Sequence, residues 1–304
     1  MYEILKKDSI CHLDFRTNYK QEIKDENSEI YLDKDGYWIS NFIYSGKAAE
    51  DPNYPVFYKI NRNGFRSNHF KIIDKNNPSI LFGGCSWTFG EGIPEEYTWT
   101  KLLTNKINKK INTNLEYYNT AYMGSSIDLI IKNTMGFIRK YGKPTYLFLL
   151  FPDLDRKTIF DDNNNEYIKA FPNTHWLSEN NKHAQKRYTL EYKRETNIYD
   201  NFHLIYLLED YCNNSGIKLL WSTWGAGDYE LFKKYNFNNF IVEEKVDGEY
   251  FKPIHNKEDK TDYYKNKNNL PYWGVAKDNS HPGTAWTHFI SNLFFTKAKN
   301  NDFF

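Results

Sequence analysis

Ser79-Ile80-Leu81-Phe82-Gly83-Gly84-Cys85-Ser86-Trp87-Thr88-Phe89-Gly90 decides how the rest of the chain is read. It begins as a short apolar run with the composition of a buried strand, breaks at two glycines and then presents a serine. In open α/β sheets ligands bind beyond the carboxyl ends of the strands, which is where Ser86 would stand. A serine in that place is either a helix N-cap or an exposed nucleophile, and the stretch by itself leaves both open.

Outward from it, apolar runs alternate with helical periods. Thr98 is placed to cap a helix carrying Trp99, Leu102, Leu103 and Ile107 on one face. Residues 115–119 read as a second strand. Ser125 or Ser126 then caps a helix with the stripe Ile127, Ile130, Ile131, Met135 and Ile138, ending near Gly142-Lys143-Pro144. Residues 145–151 are continuously apolar, as expected of a parallel strand buried on both faces. Residues 152–180 lose periodicity around an Asp161-Asp162-Asn163-Asn164-Asn165 turn, an insertion of the kind that covers sites. A long helical region closes at Gly216, a strand follows over 217–224, and residues 240–275 are irregular. Pro282 suits the first turn of a last helix with the stripe Trp286, Phe289, Ile290, Leu293 and Phe294. Strands alternating with helices predict an α/β fold with a three-layer, doubly wound parallel sheet over residues 76–304.

Residues 1–75 read differently. Residues 31–39 form a hairpin pattern around Asp35-Gly36, and 56–60 add a further strand. This part is expected to be an N-terminal β-rich arm packed on the main domain.

Composition narrows the function classes. The formal net charge is +1 with no long single-sign run, so binding to nucleic acid through phosphate neutralisation is not expected. Three cysteines (Cys11, Cys85, Cys212) make no disulfide framework, and no Cys/His spacing matches a zinc site; no cofactor and no metal are expected. The first residues lack the apolar core of a signal peptide, and no stretch reaches the length of a membrane span. A soluble protein without a membrane partner is expected, cytoplasmic or virion-associated; the Asn and Lys richness fits AT-rich coding, as in a virus or a small-genome bacterium. Aromatic residues are 18% of the chain, a composition suited to sugar- or peptide-lining clefts.

Far from Ser86 the chain reads Asp278-Asn279-Ser280-His281-Pro282-Gly283. An Asp three residues before a His can orient its ring from one tight turn, and a serine nucleophile needs such a base and such an acid. A plain surface turn ahead of a helix fits the same six residues.

Taken together, Gly84-x-Ser86-x-x-x-Gly90, Asn119-x-x-x-x-Gly124 and Asp278-x-x-His281-Pro282 resemble the SGNH, or GDSL-type, hydrolase superfamily, in the family's order. The resemblance implies a flavodoxin-like fold and a serine esterase acting on a small acyl ester, including an O-acetyl carbohydrate. Ser86 would be the nucleophile, His281 the base and Asp278 its partner, with the Ser86 and Gly124 N–H groups as an oxyanion hole. Trp87, Arg66 and Asp153 are candidate substrate contacts; the plainer reading of Arg66 is a pin between arm and body. Two positions depart from the pattern. Cys85 stands where an acidic residue is usual, and Leu150-Phe151-Pro152-Asp153 lacks the usual glycine and asparagine, hence a third oxyanion donor. An O-acyltransferase using the same triad, or a binding protein that keeps the fold without efficient catalysis, are the alternatives. Glu91, Glu95 and Glu96 crowd the loop after the serine, as a carboxylate pair or as the acidic start of a helix. His175 and His183 have no ligand spacing. Trp87, Trp99, Trp221 and Trp224 read as a sugar platform or as core.

Overall fold

The stretch that opens the sequence folds as β4 (Ser79–Gly84), buried along its whole length and flanked by parallel partners on both sides. The structure is a computed structural model and describes residues 30–32, 34–42, 56–161, 166–170, 192–242, 244–246, 249–251 and 281–304. Beside β4 lie β5 (Glu116–Asn119) and β6 (Tyr146–Phe151), and β9 (Lys218–Thr223) follows β6, giving the order β5-β4-β6-β9. Beyond β9, Trp221 bridges Phe240 in parallel, through bonds from Trp221 N to Asn239 O and from Ile241 N to Trp221 O. This is the doubly wound order expected, with one more rudimentary strand than the sequence suggested.

The period of 2 in these strands sorts the core into two layers. Leu81, Leu147, Leu149, Phe151, Leu219 and Trp221 face α3 (Ile127–Tyr141) and α4 (Arg194–Ser215). Ile80, Phe82, Tyr146, Phe148, Leu150 and Leu220 face α2 (Trp99–Ile111) and α6 (Thr284–Asn300). Each fully buried aliphatic or aromatic side chain contributes on the order of 1.5–3 kcal/mol. The three layers therefore hold together through apolar surface that no single element could bury.

Local signals behave as their chemistry requires. The Thr98 hydroxyl accepts from Lys101 N at the start of α2, and Gly216 ends α4 in the left-handed region at φ +72°. Pro282 departs from expectation: α6 starts at Thr284 with Gly283 as its N-cap, so the proline precedes the helix. The stretch after β6, read as aperiodic, contains an antiparallel pair, β7 (Lys157–Asp161) and β8 (Glu166–Ala170); the Asp/Asn-rich residues 162–165 lie outside the described residues. A helix α5 (Ala226–Lys234) and a small pair, β10 (Glu244–Val246) and β11 (Glu249–Phe251), also lacked a periodic signal.

In the N-terminal part, β1 (Ile30–Leu32), β2 (Trp38–Phe42) and β3 (Val56–Ile60) form an antiparallel sheet in sequence order. Val56, Tyr58 and Ile60 point inward against Phe89, Ala121 and Met123, beside the carboxyl end of β4. No described helix is long and apolar enough to cross a membrane.

Candidate active site

Past Gly84 the chain turns at once into a four-residue helix, α1 (Ser86–Phe89), with Cys85 rather than Ser86 at the N-cap. That leaves the Ser86 hydroxyl free of a capping role. The turn is possible because Gly84 has no side chain: a Cβ there would lie 2.0 Å from Thr88 Oγ1 and 3.0 Å from the Leu150 carbonyl oxygen. α1 ends at Gly90, left-handed at φ +80°.

The segment before α6 brings His281 to this turn. His281 Nε2 lies 2.8 Å from Ser86 Oγ, a hydrogen bond between residues 195 positions apart. Ser86 is buried, while the His281 side chain keeps 17% exposure, so the pair is shielded yet reachable from solvent. Two of the residues singled out in the sequence, Ser86 and His281, are thus brought together. Asp278, expected to orient the imidazole, lies outside the described residues, as do His175, His183 and Cys11.

Gly124 sits in the loop after β5 in the left-handed region, at φ +69°. That loop runs along the end of β4 through bonds from Thr120 N to Phe82 O and from Tyr122 N to Gly84 O. Among the described residues neither the Ser86 nor the Gly124 N–H has a hydrogen-bond partner. Asn119 is buried and structural: Ala121 N donates to its Oδ1, and its amide donates to the Thr88 carbonyl. Behind β6, Pro152 and Asp153 supply no side-chain donor, as expected from the sequence.

The proposed substrate contacts fare differently. Trp87 is half-buried next to Ser86 and stacks on Trp224 at 4.2 Å and 11°, with Trp286 edge-on at 4.7 Å. Trp224 also carries the Arg156 guanidinium, 5.1 Å from its ring centre, so its ring is engaged by two neighbours. Its indole N–H donates to Cys85 Sγ at 3.3 Å, which makes Cys85 a buried acceptor next to Ser86. Trp99 and Trp221 are core.

Arg66 does not face the site. It is buried, and its guanidinium donates to the carbonyls of Phe89, Gly90, Ile93 and Phe57 while lying over the Tyr58 ring. Four carbonyl acceptors leave it a brace, the alternative the sequence had left open. Asp153 packs against Gly225, where an added Cβ would come within 2.6 Å of its Oδ1. Burial pushes its carboxyl upward from the usual range, and Arg156 partly offsets that.

Glu91, read from the sequence as one of a carboxylate pair or as the acidic start of a helix, instead stands beside His281. Glu91 Oε2 lies 3.6 Å from His281 Nε2, the same nitrogen that meets Ser86. Its neighbours in sequence behave otherwise: Glu95 pairs with Lys101 at 3.8 Å beside the start of α2. Among the described residues no cluster of His, Cys, Asp or Glu is arranged to hold a metal ion.

A three-layer parallel α/β protein with a serine–histidine pair at the carboxyl edge of its sheet is the class that fold and site define. No family model and no curated protein matches the chain. Several solved structures are similar to it, among them the following three. One is the psychrotrophic esterase EstA from Pseudoalteromonas sp., inhibited by monoethylphosphonate, at 11% identity and a TM-score of 0.40 over 74% of this chain and 98% of that one. A G-D-S-L-family protein from Desulfitobacterium hafniense DCB-2 is 12% identical, with a TM-score of 0.37 over 72% and 98% of the two chains. The third is a carbohydrate esterase whose active site displays divergent catalytic and non-catalytic binding functions, at 10% identity and a TM-score of 0.38 over 90% and 96%. These are likenesses only; the α/β architecture stands on the sheet order and the two helical layers.

Proposed function

We propose that the chain is a serine ester hydrolase that works through a covalent acyl-enzyme on Ser86. The observation that carries this is the 2.8 Å contact between Ser86 Oγ and His281 Nε2 at the carboxyl edge of the sheet. His281 takes the hydroxyl proton as Ser86 Oγ attacks the ester carbonyl, then returns it to the leaving alcohol. Water, activated by the same imidazole, releases the acid and restores the hydroxyl. Asp278 holds the ring in the tautomer that accepts at Nε2, a role taken from the family resemblance. The developing oxyanion is met by the N–H groups of Ser86 and Gly124. Lacking an asparagine after β6, the hydrolase works with one donor fewer, which costs on the order of 10²–10³ in rate. The substrate is a small acyl ester, with O-acetyl carbohydrate as the favoured class.

Purified protein incubated with a fluorophosphonate probe and p-nitrophenyl acetate tests this, beside Ser86→Ala and His281→Ala. Wild type labels and turns over; both variants lose at least about 10³-fold in kcat/KM, and Ser86→Ala loses the label altogether. Absence of labelling and turnover in wild type makes the chain a binding protein on a hydrolase scaffold.

A further inference from the structure

Glu91 places a carboxylate where an ester hydrolase of this design does not need one, and the chain goes to some length to fix it there. The residues on either side are held: Glu91 N donates to Ser86 O at 3.1 Å, Gly92 N donates to Tyr58 Oη at 2.7 Å, and Arg66 donates to the Gly90 and Ile93 carbonyls. Tyr58 belongs to β3, so the N-terminal sheet is what clamps this loop. The carboxylate keeps 27% exposure and stands 3.6 Å from His281 Nε2.

We infer that Glu91 selects the alcohol half of the ester by charge, admitting cationic and neutral, hydroxyl-rich alcohols and rejecting anionic ones. The inference rests on the hydrolase reading above and adds its substrate class. In that mechanism the leaving oxygen sits about 3 Å from Nε2 to receive its proton. A group 3.6 Å from the same nitrogen is within a few ångströms of that leaving oxygen and of the alcohol it carries. A carboxylate oxygen there accepts hydrogen bonds from hydroxyls flanking the ester, as on a sugar. It also repels a phosphate, sulfonate or carboxylate carried a few atoms away. At about 6 Å in a half-exposed site the Coulomb energy between unit charges corresponds to roughly tenfold in rate for each sign of charge.

Three acetate esters of matched shape test it: acetylcholine, 3,3-dimethylbutyl acetate and 2-acetoxyethanesulfonate. Wild type ranks them cationic, neutral, anionic in kcat/KM, with at least about tenfold between the extremes, and added salt narrows the range. Glu91→Gln, which keeps the shape and an acceptor oxygen, brings the three within about twofold. Glu95→Gln, on the neighbouring ion pair, leaves the wild-type ranking in place. A flat ranking in wild type overturns the inference without any variant. So does a ranking that Glu91→Gln leaves unchanged, or one that Glu95→Gln erases equally. Wild type that turns over none of the esters and takes no fluorophosphonate label fails at the hydrolase reading itself, and this inference falls with it.

Discussion

Gly83 and Gly84 stand side by side at the end of β4 and face different neighbours. A Cβ on Gly83 would meet Leu149 Cδ2 at 2.7 Å and Thr134 Oγ1 at 3.0 Å, both side-chain ends that can yield. A Cβ on Gly84 would meet the Thr88 side chain at 2.0 Å and the Leu150 carbonyl, and α1 would have to move to accept it. Gly83→Ala is therefore expected to cost about 1–3 kcal/mol in stability while keeping the labelling rate within roughly threefold. Gly84→Ala displaces Ser86 and lowers labelling per folded molecule by about 10²-fold, since misplacement of a reacting atom by about 1 Å has that effect. Thermal unfolding beside probe labelling separates the two, and equal labelling in both variants would show that Gly84 does not set the nucleophile. Residue-scale legibility followed the same line. The Ser86–His281 pair was readable because both residues carry local turn signals, the glycines before Ser86 and the proline after His281. Glu91 was noticed only as part of an acidic cluster, and its place beside His281 was not readable. Its position depends on the left-handed Gly90 reversing the chain and on Tyr58 and Arg66 holding it, contacts made across more than twenty residues.

Among the elements, α2 and α6 share a buried polar contact with a titration to predict. Lys106 on α2 donates to Ser291 Oγ on α6 at 2.6 Å, and His288 stands one turn before that serine with a buried, unpartnered Nε2. Burial, and next the Lys106 charge, lower His288 from 6.5 to about 4, and burial lowers Lys106 to about 8. For His288 the unfolded chain binds the proton more tightly than the folded one between pH 6.5 and about 4. Stability therefore rises with pH through that window and is lost on acidification, by about 1–2 kcal/mol once screening of a partly exposed ring is allowed for. His288→Gln should flatten this part of the urea-midpoint profile against pH and leave the midpoint near neutrality within about 0.5 kcal/mol; an unchanged acid slope would assign it to carboxylates elsewhere. At this scale the sequence was most informative. The strands β4, β5, β6 and β9 and the helices α2, α3 and α6 carry their stripes openly, because a strand buried on both faces must be apolar throughout and a helix on a sheet must be apolar on one side. The β7–β8 pair had no such constraint, so only its Asp/Asn turn was visible.

For the molecule as a whole, the sheet divides two layers that share stability but not geometry. Ile205 on α4 and Ile290 on α6 are both fully buried, one in each layer, and offer the same side chain for removal. Ile→Ala at either should cost about 2–5 kcal/mol and lower the melting temperature comparably, because both layers close on the same four parallel strands. Their effects on the site should differ. Ser86 is set by β4 and by the turn at Gly84, which both layers support. His281 lies three residues before α6, so its reach to Ser86 depends on how α6 docks against α2 and the sheet. Ile290→Ala, four residues past Trp286 and on the same buried stripe, loosens that docking and should slow fluorophosphonate labelling several-fold well below the melting temperature. Ile205→Ala, lost from the opposite layer, should leave labelling within about twofold at the same temperature. Rates measured on both variants at matched folded fraction distinguish a site positioned by one helix from a site that simply weakens with the fold. Equal slowing in the two would assign the placement of His281 to the sheet rather than to α6.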